Sequence, residues 1–255
     1  MSKIRGQRSV QWRSERFLGA VLDDPGTDGN ATVAIGELLL LGSRGCQRVG
    51  RISALPVPCR DRATREPWRM AVGALFMLGE ATVPLRLRSH PAAALLTTLR
   101  CGLDCFFTSS ASCLVEAAAG LLGVDSPAAL EDLAKRHGTE RALAWGYCVS
   151  PGGDLDFLPL LEDLAAVDDV GFGAALFLAT FADGLAEWTV RAARACGVRR
   201  VALWGGCLDS PILAQGLRSR LDPAGVEMST ASDHASVALA RIGLASRAIS
   251  EAPSA

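Results

Sequence analysis

The chain is poor in the residues that most directly announce a chemistry. Its three histidines, His90, His137 and His234, stand far apart in sequence. Its eight cysteines, at positions 46, 59, 101, 105, 113, 148, 196 and 207, form no Cys-x-x-Cys pair and no regular framework. Cys101 and Cys105 read as one helical turn apart, but a zinc site would need a second pair or a histidine at ligand spacing. Free, largely buried thiols in a reducing compartment are the preferred reading. No apolar run reaches the ~20 residues of a membrane span. The longest, Val170 to Ala182, contains glycines, ends at Asp183 and reads as a buried core helix. Met1 to Arg16 is charged and has no apolar centre, which excludes a secretory signal and leaves a cytoplasmic location as the expectation. Lysines are very few, the net charge is −1, and the arginines are scattered among acidic residues. That balance excludes the broad cationic face of a non-specific nucleic-acid binder. There is no internal repeat and no long linker.

What is present is apolar substance. Of 255 residues 49% are hydrophobic and 21% charged, enough to bury a substantial core in one large domain or two small ones. Phe17 to Asp23 reads as a strand, Pro25 to Asn30 as a turn, and Thr32 to Leu41 as a second strand of a hairpin. Gln47 to Leu55 reads as a third strand leading into a corner at Pro56 and Pro58. From Pro67 to about Gly197 helix signals dominate. Pro67 suits a first helical turn, and Ser126-Pro127 followed by Glu131 reads as a capped helix entry. Val201 to Trp204 and Val226 to Ser229 read as strands flanking a helix over Pro211 to Leu221. A final helix is expected from about Asp233 to Ile249, and 251–255 as a frayed tail. The order is three antiparallel strands, a large helical insertion, then strand–helix–strand–helix, an α/β pattern.

Certain short motifs stand in a definite order along this frame. They are Pro56-Val57-Pro58, Asp61, Arg65-Glu66-Pro67-Trp68-Arg69-Met70-Ala71, Thr108-Ser109-Ser110 before a helix, Gly205-Gly206 after a strand, and Asp233 in a late loop. In that order and over most of the chain they resemble the hydrogenase-maturation carbamoyltransferases, the HypF family. The tryptophan between arginines is the most specific of them. The resemblance implies one actin/sugar-kinase-like (ribonuclease-H-like) lobe with a mixed five-stranded sheet and a large helical insertion, corresponding to the second lobe of a two-lobed Kae-type domain. On that reading 1–16 is an extension, 17–58 and 198–250 form the α/β core, and 59–197 is the insertion.

The resemblance also implies a chemistry. Relatives turn carbamoyl phosphate and ATP into a carbamoyl adenylate, then pass the carbamoyl group to a partner's C-terminal cysteine on the route to nickel–iron hydrogenase. It assigns ATP contacts to Gly26, Gly36, Glu37, Gly205 and Gly206, and a divalent metal to Asp23 and Asp233. Several matching positions are altered. Asp24 and Asp28 replace glycines of the phosphate turn, and Pro25 removes an N–H donor, so the turn repels polyphosphate. Trp204 stands for a serine, and Cys207-Leu208-Asp209-Ser210 for a segment ending in amides. Ala111-Ser112-Cys113-Leu114-Val115-Glu116 stands for Ala/Met-Gly-Arg-Leu-Phe-Asp, and Ala182 for a histidine. The family's metal-binding histidine pair belongs to its first lobe. Two readings follow: a carbamoyltransferase lobe unable to catalyse alone, or a non-catalytic binding or scaffold paralogue. Both imply a partner: a hydrogenase-maturation protein, a chain supplying the first lobe, or a second copy.

Overall fold

A computed structural model describes residues 16–23, 35–43, 45–58, 66–80, 83–103 and 105–229. The sheet core begins with β1 (Phe17–Val21), β2 (Glu37–Gly42) and β3 (Gly45–Arg51). It is completed late in the chain by β8 (Arg200–Trp204) and β9 (Glu227–Ser229), in the order β3-β2-β1-β8-β9. β1 runs antiparallel to β2 and parallel to β8, so the sheet is mixed as expected. β1 is central, and every one of its residues is buried, which is why its sequence is apolar throughout rather than alternating.

The pleat divides the apolar side chains between two faces. Leu18, Ala20, Leu38, Val201 and Leu203 point into the main core with the helices. Phe17, Val21, Leu39 and Leu41 form a separate cluster on the other face, with Ala202 and Trp204 packed against it. Trp204 thus spends its indole on the sheet.

The insertion carries α1 (Pro67–Met77), α2 (Ala92–Arg100), α3 (Ala111–Leu121), α4 (Pro127–His137), α5 (Leu158–Ala166) and α6 (Val170–Cys196), and α7 (Pro211–Leu221) joins β8 to β9. Ser126 caps α4 as its sequence suggests, its hydroxyl accepting from Ala129 N–H. By length and composition α6 is apolar enough to cross a membrane, at mean hydropathy 1.3. Its Phe177, Phe181, Leu185 and Trp188 are instead buried in the core.

The insertion and the segment that leads into it are less purely helical than the sequence suggests. Pro56 and Pro58 are not a corner: they belong to β4 (Leu55–Pro58), antiparallel to β5 (Cys105–Thr108). A proline is tolerated there because this sheet has only two strands, so every N–H it lacks can face away from the ladder. A second small ribbon joins β6 (Cys148–Val149) to β7 (Leu155–Asp156). Cys101 and Cys105 do not share a helical turn either, since Cys101 caps α2 and Cys105 opens β5. All seven described cysteines are free thiols.

The Trp68 motif forms an anchor at the start of α1. Trp68 is buried, its ring is stacked on His90 at 5.0 Å, and the Arg69 guanidinium lies 4.4 Å from its centroid. Glu66 holds that guanidinium at 2.7 Å. Arg65 lies outside the described residues, as do Asp61 and the expected final helix.

Candidate functional site

The ends of β1 and β8 lie side by side, and the chain leaves the sheet there. Leu22 N–H donates to the Trp204 carbonyl at 2.6 Å, and the Leu22 carbonyl accepts from Ala111 N–H at 2.8 Å. Three distant segments therefore meet where Asp23 begins the next turn.

Asp23 joins them. It is only 5% exposed, and both its carboxylate oxygens are engaged. Oδ1 accepts from Ser112 N–H at 2.6 Å and, more weakly, from the Ser110 hydroxyl at 3.4 Å. Oδ2 accepts from Cys207 N–H at 2.7 Å. Ser112 lies in the first turn of α3, whose N-cap Ser110 supplies no side-chain cap of its own. A carboxylate from β1 thus satisfies the helix start, where orphan N–H groups and the helix dipole both favour negative charge. The same carboxylate closes the turn after β8.

The glycines at this joint are explained by the chain's own atoms. Gly205 has φ +157°, and a Cβ there would stand 2.9 Å from Asp23 Oδ2. Gly36 has φ +69°, and a Cβ there would collide with the Ser109 carbonyl. Gly206 leaves more room, its Cβ position lying 3.9 Å from Asp23 Oδ2. Bare backbone is needed here so that strand end, serine turn and glycine turn can pack together.

Two further ionisable groups crowd the joint. Glu116, on α3, is 7% exposed and its Oε2 meets no hydrogen-bond partner. Burial, and then the negative charge of Asp23, push its carboxyl up to about 7. Burial and Asp23 likewise push the Cys207 thiol well above its ordinary range, which makes it a poor nucleophile at neutral pH.

Asp23, Gly36, Gly205 and Gly206 are therefore brought together. Glu37 points elsewhere, its carboxylate paired with Arg48 on β3 at 2.9 Å. Gly26 and Asp233, with Asp24, Pro25, Asp28 and His234, lie outside the described residues. Sequence reasoning missed Cys207 N–H and Glu116 as members of the joint. Glu116 carried a signal, being the one charged residue of α3.

Among the described residues, those that the resemblance assigns to metal and nucleotide are engaged by the chain's own atoms. Among all the described residues no group of three or more His, Cys, Asp or Glu side chains gathers to hold a metal. Both Asp23 oxygens already serve main-chain N–H groups. The space left bare at Gly36 and Gly205 is taken by Ser109 and by Asp23 with Leu22.

A mixed five-stranded sheet interrupted by a helical insertion, with an aspartate, a serine turn and a glycine turn meeting at the strand ends, defines a Kae-like α/β lobe. The chain matches the family model described as carbamoyltransferase, Kae1-like domain, second subdomain, over residues 19–237. It belongs to that carbamoyltransferase family. Carbamoyltransferase HypF of Rhizobium leguminosarum bv. viciae is 39% identical over 222 residues, covering 83% of this chain and 29% of that protein. Carbamoyltransferase HypF2 of Cupriavidus necator is 34% identical over 253 residues, covering 85% and 31%. A HypF homolog of the same organism is 34% identical over 236 residues, covering 84% and 60%. The chain thus spans under a third of the first two relatives. The crystal structure of T. kodakarensis HypF shares the fold at TM-score 0.69 and 23% identity, covering 90% of this chain and 34% of that one. Full-length HypF in its phosphate- and nucleotide-bound form does so at TM-score 0.68 and 20% identity, covering 94% and 40%.

Proposed function

We propose that this lobe forms one wall of an ATP-dependent carbamoyl-transfer centre serving nickel–iron hydrogenase maturation, and that it does not catalyse alone. The observation that supports this reading most is the Asp23 joint. It holds the serine turn, the α3 start and the Gly205-Gly206 turn in one place across 89 and 184 residues of chain. That arrangement presents a fixed surface and brings few reactive groups of its own. Within the assembled centre the lobe's task is positional: it fixes the helix start and the turn against which a first lobe closes. Nucleotide and metal are then taken up through groups other than the described ones.

A scaffold role is the second reading, and it has its own support. Cys113 cannot form the cationic fork of the arginine it replaces, and the Trp204 indole packs on the sheet. The two readings separate in an ATP–pyrophosphate exchange assay dependent on carbamoyl phosphate. The lobe alone should show no exchange. Mixed with the first subdomain of a HypF relative, it should show exchange if it is a catalytic wall. Stable association without exchange would favour the scaffold.

A further inference from the structure

Away from the Asp23 joint, a cavity of about 700 Å³ lies between the C-terminal end of α4, α6 and α7. None of Asp23, Gly36, Gly205 and Gly206 lines it. Its floor is a row of small side chains on one face of α6, Ala175, Ala179 and Ala182, at i, i+4 and i+7. Ile212 of α7 adds to the apolar lining. α6 and α7 touch closely beside it, since a Cβ on Gly216 would stand 2.7 Å from the Ala182 Cβ.

The roof is segment 138–144, and it is pinned on both sides of Arg141. Glu140 pairs with His137 at 3.0 Å, and Leu143 N–H donates to the buried Thr180 hydroxyl at 3.0 Å. The slot is therefore formed in advance of any ligand. Its charges are mostly spent. Asp183 is held by Arg220 at 2.8 Å and by the Tyr147 hydroxyl at 2.9 Å. Lys135 reaches Glu131 at 3.0 Å. Among the described residues, Arg141 alone of the lining cations has no carboxylate partner.

A preformed concavity of this size with an apolar floor and one available charge is the usual build of a small-molecule site. The available charge is a guanidinium, whose planar fork of donors pairs with two oxygens of one carboxylate, phosphate or sulfonate group. We propose that this slot binds a small organic anion: an apolar or aromatic body lying on the alanine row, with one carboxylate, phosphate or sulfonate group meeting Arg141. This site is separate from the Asp23 joint and does not depend on the lobe's part in carbamoyl transfer.

The test is a fluorescence titration of the full chain with 8-anilinonaphthalene-1-sulfonate and with its uncharged counterpart N-phenyl-1-naphthylamine. The sulfonate should bind saturably at one site per chain and more tightly than the neutral dye. Arg141→Gln should weaken sulfonate binding about tenfold and leave the neutral dye unchanged. Ala179→Phe, which fills the floor, should abolish both. Equal affinity for the two dyes, no saturable sulfonate binding, or binding that survives Ala179→Phe would overturn the assignment. Should Ala179→Phe lose its cooperative melt, Arg141→Gln on the exposed roof decides with the two dyes alone.

Discussion

Removing the Asp23 carboxylate is the perturbation whose cost the structure sets most closely. In Asp23→Ala two main-chain N–H groups, of Ser112 and Cys207, lose an ionised acceptor inside a buried joint. Each hydrogen bond to a charged group contributes about 1.5–3 kcal/mol, so the gross loss is about 3–6 kcal/mol. Part is returned, because Glu116 no longer faces a neighbouring negative charge. A net loss of about 3–4 kcal/mol is expected, a large share of the 5–15 kcal/mol typical of a folded domain. Asp23→Asn should do little better. Its amide keeps one acceptor oxygen but sets an NH₂ donor against the other N–H. Urea unfolding followed by circular dichroism measures both variants, and the midpoint should fall by about 1–2 M at an m-value of about 2–3 kcal/mol/M. A loss under about 1 kcal/mol in the alanine variant, or an asparagine variant indistinguishable from wild type, would refute the joint as described.

Other substitutions probe the frame and its charges. Trp68→Ala should cost about 3–5 kcal/mol, since a buried indole stacked on His90 and under Arg69 is removed; an unchanged melting temperature would move that motif from the core to a partner surface. Glu116 is raised from 4.5 to about 7, so the folded state holds a proton that the unfolded state has released in that window. Its contribution is therefore fully present below about pH 4.5 and is lost as pH rises towards 7. The span is at most about 3 kcal/mol, and about 2 after allowance for residual solvent around the carboxyl. Glu116→Gln should flatten that slope and be more stable than wild type at pH 8, whereas parallel pH profiles would count against it. Ser126→Ala, losing the α4 cap, should cost about 1 kcal/mol in the same unfolding assay.

The frame was legible in sequence because its signals are local. β1 and β2 announce themselves by apolar runs beside turn residues, β3 by alternation alone, and Ser126-Pro127 marks a helix entry on its own. The two small ribbons were not legible. β6 and β7 have two residues each, too short for any period to register, and β4 carries two prolines that argue against a strand. The candidate site was legible as a set of motifs but not as a joint. Asp23 reads in sequence as a ligand-facing carboxylate. The partners that the structure gives it lie 89 and 184 residues away and are main-chain N–H groups, which no side-chain pattern encodes. His90, a lone histidine beside a proline, gave no sign that it stacks on Trp68.

A lobe that frames a carbamoyl-transfer centre but needs another lobe for its chemistry should bind no nucleotide by itself. Isothermal titration of the chain with ATP and magnesium, in the presence of carbamoyl phosphate, decides this. The chain alone should give no saturable heat, and the same titration with the first subdomain of a HypF relative present should reveal binding. Micromolar, magnesium-dependent ATP binding by the chain alone would mean that the lobe holds nucleotide without a partner.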